Sequence, residues 1–127
     1  MAVPHAQSGE VIDVRPLGAN LAHAKTTTLI KTKSLEVIRL VLPRGKRLPR
    51  HEAPAEVTIQ CLEGRIRMEL DGRVVELSAG DLLYLGERAP HDVQALVDST
   101  VLATLRLPQD HPLAWPSVLA EELSELS

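Results

Sequence analysis

The 127-residue sequence predicts one all-β domain, a sandwich or barrel of short antiparallel strands. Three observations carry that expectation. From Thr26 onward the chain is a succession of short runs rich in Val, Ile and Leu. Those runs are punctuated by the turn signals Glu63-Gly64, Asp71-Gly72, Ala79-Gly80 and Asp98-Ser99. The length suits a single domain, and no repeat, low-complexity tract or linker divides it.

Residues 1–25 read as an N-terminal arm. Within it, "VIDV" at 11–14 has the content of a short strand, and "LGANLAHAK" at 17–25 that of a short helical turn. The barrel spans 26–108 and opens with "TTTLIKT". "LEVIRLVLP" at 35–43 is apolar on both faces, at Val37, Ile38, Leu40 and Val41, as expected of a strand covered on both sides. "PRGKRLPR" at 43–50 is broken by prolines and a glycine and is expected to be a solvated turn, not a phosphate patch. "VTIQCL" at 57–62 follows, then "RIRMEL" at 65–70, which sets Ile66, Met68 and Leu70 on one face and Arg65, Arg67 and Glu69 on the other. "ELDGRVVEL" reads as a hairpin turned at Asp71-Gly72. "LLYL" at 82–85, "DVQALV" at 92–97 and "TVLATLRL" at 100–107 complete the strands. Residues 109–127 are expected to form a loop and a C-terminal helix, because Pro116 suits a helix start and Leu119, Leu123 and Leu126 share one face. That leucine face needs a surface to cover, on its own barrel or on a second subunit.

Composition excludes several classes of function. The formal charge of −3 has its acids and bases interspersed, which argues against a nucleic-acid partner. Phe is absent, and Tyr84 and Trp115 are the only aromatics, so platforms for stacking bases or sugars are scarce and the core is aliphatic. The single cysteine, Cys61, excludes an internal disulfide and every multi-cysteine zinc motif. No stretch suits a membrane span or a signal peptide, so no membrane partner is expected and a cytoplasmic, reducing setting is.

Two segments carry spaced glycines and histidines. In "GKRLPRHEAPAEVTIQCLEG" at 45–64, Gly45, His51 and Gly64 stand in register with a motif of glycine, His-x-His, glutamate and glycine. In "GDLLYLGERAPH" at 80–91, Gly80 and His91 fit a motif of glycine, Pro-x-Gly, histidine and asparagine. In these residues the chain resembles the cupin family over roughly residues 30–107. The resemblance implies a cupin-type jelly-roll β-barrel whose motif residues converge in its mouth, and a divalent metal (zinc, nickel, iron or manganese) as the usual cofactor. Here the ligand set is reduced. Ala53 and Val57 occupy the second histidine and glutamate positions, Gly86 and Arg88 the Pro-x-Gly positions, and Ala95 the asparagine position. His51 and His91 are the two ligand positions kept.

Strand parity decides whether neighbours can substitute. If Val57 points inward, so do Ile59 and Cys61, while Glu56, Thr58 and Gln60 face away. Glu52 meets the same objection beside His51, and Cys61 lies deeper than the ligand positions. Two imidazoles fall short of the three or four protein ligands of a zinc site, so no cofactor is firmly implied. The expected pocket therefore comprises His51, Ala53, Val57, Ile59, Cys61, Tyr84, His91 and Val93, with Ala95 also on its wall. Such a site suits a small, mostly apolar molecule anchored by one polar group, a carboxylate or a carbonyl. Two enzymic readings stay open: a metal-dependent oxygenase or isomerase on His51 and His91, and a cofactor-free isomerase with those histidines as base and Tyr84 as acid. His5, His23 and His111 are expected to be structural or solvent-exposed; "ERAPH" at 87–91, with Arg88 at the mouth, either recognises an anion or caps the barrel, and the cap is the expectation. A homodimer is expected, since pairing covers exposed strand edges.

Overall fold

The structure, a computed structural model, describes residues 5–108. The strands are β1 (Thr27–Lys31), β2 (Leu35–Leu42), β3 (Arg47–His51), β4 (Val57–Glu63), β5 (Arg65–Leu70), β6 (Arg73–Ser78), β7 (Leu82–Leu85), β8 (His91–Ala95) and β9 (Ser99–Arg106). They form two antiparallel sheets, ordered β1-β2-β9-β4-β7 and β3-β8-β5-β6, the two walls of a jelly-roll barrel. The all-β expectation holds. The expected C-terminal helix, with His111 and the leucine face, lies outside the described residues.

Alternation builds the core. β2 sends Ile38, Leu40 and Leu42 inward, β4 sends Val57, Ile59 and Cys61, and β9 sends Val101, Ala103 and Leu105. The facing sheet answers with Leu48, Ile66, Met68, Leu77, Val93 and Ala95. β2 is enclosed on its outer side as well, where Val37 and Val41 are buried. The hairpin at Asp71-Gly72 forms as expected, with Leu70 opposite Arg73 and Gly72 at φ +82°. At the β4–β5 turn, Gly64 has φ +84° and packs so closely on Asp98 and Ser99 that a Cβ there would collide with the Asp98 carbonyl. Only glycine meets both demands.

Two expectations fail. "VIDV" is not a strand: its backbone has no ladder, and Val11 is 97% exposed. The arm is instead held by one backbone bond, from the Ala6 N–H to the Leu29 carbonyl at 2.9 Å, and by side chains: Arg39 donates to the Asp13 carbonyl at 3.2 Å. The Glu63 carboxylate accepts from the backbone N–H of Leu17 at 2.8 Å and of Gly18 at 3.1 Å, and from the Thr100 hydroxyl at 2.9 Å. That grip fixes the start of the 3-10 helix Gly18–His23, the expected helical turn.

The second failure matters for the site. "PRGKRLPR" is not only a turn, for its second half is β3. Pro49 is tolerated because β3 is an edge strand, paired with β8 alone. Between Leu48 and His51 the register shifts, so three steps along β3 match two along β8. The extra residue is a bulge. Through it Leu48 faces the core and His51 lines the same interior, although their odd separation would put them on opposite faces of a regular strand. Asp92 pins this edge, accepting from Arg47 of β3 at 2.9 Å and from the Glu69 N–H of β5 at 2.8 Å. Among the described residues no helix is long and apolar enough to cross a membrane.

Candidate functional site: a histidine pair over an aliphatic hollow

His51 ends β3 and His91 begins β8, and the two are directly opposed in register. Their ring centroids are 4.3 Å apart, with the planes inclined at 60°. Each ring is oriented by its own backbone. His51 Nδ1 lies 3.0 Å from the Pro49 carbonyl, and His91 Nδ1 lies 3.0 Å from the Ala89 carbonyl. A carbonyl oxygen only accepts, so Nδ1 carries the hydrogen in both rings. A ring so oriented presents the Nε2 lone pair whenever it is neutral.

Burial is the main reason why His91 titrates below the usual histidine range, and the adjacent His51 ring acts in the same direction. The Ala89 carbonyl and the Asp92 carboxylate oppose them without prevailing. His91 is thus neutral at pH 7, an acceptor and not a cation.

Below the rings lies a hollow of about 30 Å³. By that measure one water needs roughly 10–15 Å³, so the hollow admits only a few atoms. Of the expected pocket residues, His51, Ala53, Val57, Ile59, His91 and Val93 line it. Sequence reasoning missed Leu40, Leu48, Ala103 and Leu105, which complete its wall. The alternation of β2 and β9 was visible, but their register was not: Ala103 lies opposite Ile59, and Leu105 opposite Val57.

Three expected pocket residues lie elsewhere. Cys61 faces inward as parity requires, but four residues along β4 from Val57, about 13 Å. Its thiol is fully buried, bonded to the Glu63 carbonyl at 3.4 Å, and pushed up by burial and then by the Asp81 carboxylate. Ala95 is buried in the core without touching the hollow. Tyr84 is on the outside, 60% exposed, because β7 turns Leu83 and Leu85 inward and pairs Tyr84 with outward Thr58. Its hydroxyl donates to Glu56 at 2.6 Å, a bond that raises its pKa. Tyr84 cannot serve as an acid opposite the histidines.

The same bond shows Glu56 facing away from the hollow, so the shifted carboxylate does not replace Val57. Among the described residues no group of three or more His, Cys, Asp or Glu side chains could hold a metal ion. The donor set there is two imidazole nitrogens beside the aliphatic Ala53 and Val57, which does not fit a firmly held structural or catalytic metal. His5 and His23 are solvent-exposed.

The loop before β8 closes one side of the mouth. Arg88 N–H donates to the Ala53 carbonyl at 2.7 Å, so the expected cap exists and is made by main chain. Arg88 is also the only non-glycine residue with positive φ among the described residues, at +58°. That conformation costs a side-chain-bearing residue roughly 1–2 kcal/mol.

Comparison with known proteins supplies the family. Residues 38–105 match the model of the Cupin domain family. A cupin superfamily protein from Desulfitobacterium hafniense superposes with a TM-score of 0.67 at 14% identity, covering 81% of this chain and 100% of that one. A conserved protein of unknown function from Streptococcus pyogenes gives 0.66 at 17% identity, covering 85% and 96%. KdgF from Halomonas sp. gives 0.61 at 24% identity, covering 69% and 83%. At these identities the likeness speaks for the fold. No curated protein matches the sequence.

Proposed function

The chain belongs to the Cupin domain family, and from that premise we propose that it binds a small molecule at the barrel mouth without a firmly held metal. One observation carries the reading: two imidazoles, each with Nδ1 committed to a backbone carbonyl, stand over a hollow whose other walls are aliphatic. A neutral pair of Nε2 acceptors matches a ligand group that donates, such as a hydroxyl, an amide N–H or an ammonium. This refines the carboxylate or carbonyl anchor expected from the sequence. Either of those would need a protonated ring, which burial disfavours at His91. The small hollow takes only the head of such a ligand, with the remainder in the mouth.

The same proposal has the protein acting as a homodimer in the cytoplasm. Exposed Leu82 and Tyr84 on the edge strand β7 support the pairing. Native mass spectrometry, metal analysis and melting with and without EDTA test the whole reading. The expected result is a retained small molecule or its mass shift, sub-stoichiometric metal and an EDTA-insensitive midpoint. Stoichiometric metal with a midpoint lowered by EDTA would overturn it.

A further inference from the structure

We infer that Arg88 selects the ligand of this site, and that the ligand is a short carboxylic acid bearing a hydrogen-bond donor, a hydroxy acid in its simplest form. The inference rests on the small-molecule reading above and adds the ligand's chemical class. The cap at the mouth uses only the Arg88 N–H, donated to the carbonyl of Ala53, a residue lining the hollow. Glycine would make the same bond and would adopt φ +58° without strain. The arginine side chain is thus not required by the backbone that carries it, and it stands where its presence costs stability.

That side chain is available. Residue 88 is exposed, and among the described residues its guanidinium has no hydrogen-bond or ion-pair partner. Its place in the chain ties it to the site, one residue before the carbonyl that orients His91. Three carboxylates are borne on the two mouth loops. Glu56 is engaged by Tyr84, while Glu52 and Glu87 are exposed. Exposed Arg50, beside His51 on β3, adds a second cation at the same edge, so the acids and bases of the mouth are mixed. Recognition by Arg88 is direct, a fork of two N–H donors on one carboxylate.

The two halves of the site then ask for different groups. The rings offer two acceptors to a donor inside the barrel, and the guanidinium offers donors to an acceptor at the rim. A hollow of about 30 Å³ limits the inner part to a hydroxyl and one or two carbons. Carboxylate outside, hydroxyl inside and a short link between them satisfy both.

The test is an NMR titration of the histidine Cε1–H resonances in full-length protein, with glycolate, its neutral amide glycolamide, and acetate as probes. The parent should bind glycolate at least about tenfold more tightly than glycolamide or acetate, a typical worth for a charge-assisted bond. Arg88→Gly should melt a few degrees higher, as relief of the strain requires. It should also bring the glycolate-to-glycolamide ratio close to one while leaving glycolamide binding unchanged. Arg88→Ala, which keeps the strained backbone, should lose the preference without the gain in melting temperature. If the parent binds glycolate and glycolamide equally, or Arg88→Gly keeps the preference, the role assigned to Arg88 is wrong and the hollow stands. If no probe moves the histidine resonances of the parent, the ligand class falls together with the binding reading beneath it.

Discussion

The aliphatic positions of the site can be made to hold a metal. Ala53 and Val57 are 3% and 4% exposed and share one hollow with His51 and His91. Ala53→His together with Val57→Glu therefore turns two ligands into four. The cost in the metal-free form comes from two sources. Forcing an imidazole into a space of about 30 Å³ overpacks the core, at roughly 1–3 kcal/mol. A buried carboxyl lacking partners adds about 1–3 kcal/mol. Against a total stability on the order of 5–15 kcal/mol, the apo variant folds but melts early. Zinc or nickel at a hundred times its dissociation constant returns about 2.7 kcal/mol. For a domain near 100 residues that is an upward shift of roughly 10–20 °C. Scanning calorimetry of metal-free parent and variant, with metal titrated in and stoichiometry fixed by equilibrium dialysis, reads both numbers. The parent should shift by only a few degrees. A folded variant that binds no more tightly than the parent would show that positions 53 and 57 do not face the histidine pair. Should the double variant fail to fold, Ala53→His alone supplies a third ligand and the same comparison applies.

Two further outcomes follow from the geometry. Gly64→Ala combines a left-handed backbone with a collision against the Asp98 carbonyl and Ser99, and should lower stability by roughly 2–5 kcal/mol in urea unfolding; a loss under about 1 kcal/mol would mean that the turn relaxes freely. Folded His91 takes up a proton less readily than the unfolded chain, whose histidines titrate near ~6.5, so its contribution is complete above that pH and is lost as pH falls toward the folded value. Urea midpoints at pH 7, 6 and 5 should decline less steeply for His91→Gln than for the parent, and equal slopes would assign the acid sensitivity to other groups.

Much of the barrel was legible because short-range alternation and turn chemistry specify it. "RIRMEL" and the Asp71-Gly72 turn give β5 and β6 without reference to the rest of the chain. The parity of β4 was legible too: Val57, Ile59 and Cys61 point inward, and Thr58 and Gln60 do not. What parity alone does not supply is depth, so Cys61 was grouped with a hollow that begins well above it. Register across strands was equally hidden. It places Tyr84 outside beside Thr58, and brings Leu105 from β9 against Val57. β3 was obscured by its charges and Pro49, features that belong to an edge strand as well as to a turn. "VIDV" shows the converse, a strand-like composition with no neighbouring ladder to join. Arg88 was noticed as a departure from the motif, but its left-handed backbone is a property of the folded loop.

The inserted residue in β3 between Leu48 and His51 separates the fate of the barrel from the fate of its site. Were β3 to run on regularly past Leu48 at its present length, the barrel would stand but the His51 imidazole would swing to the solvent side, as a one-residue slip does to any strand. Losing one residue at 49–50 would instead restore an even separation from Leu48 and keep the two rings opposed, so chains that share this barrel can hold the pair with the extra residue and its bulge together, or with neither.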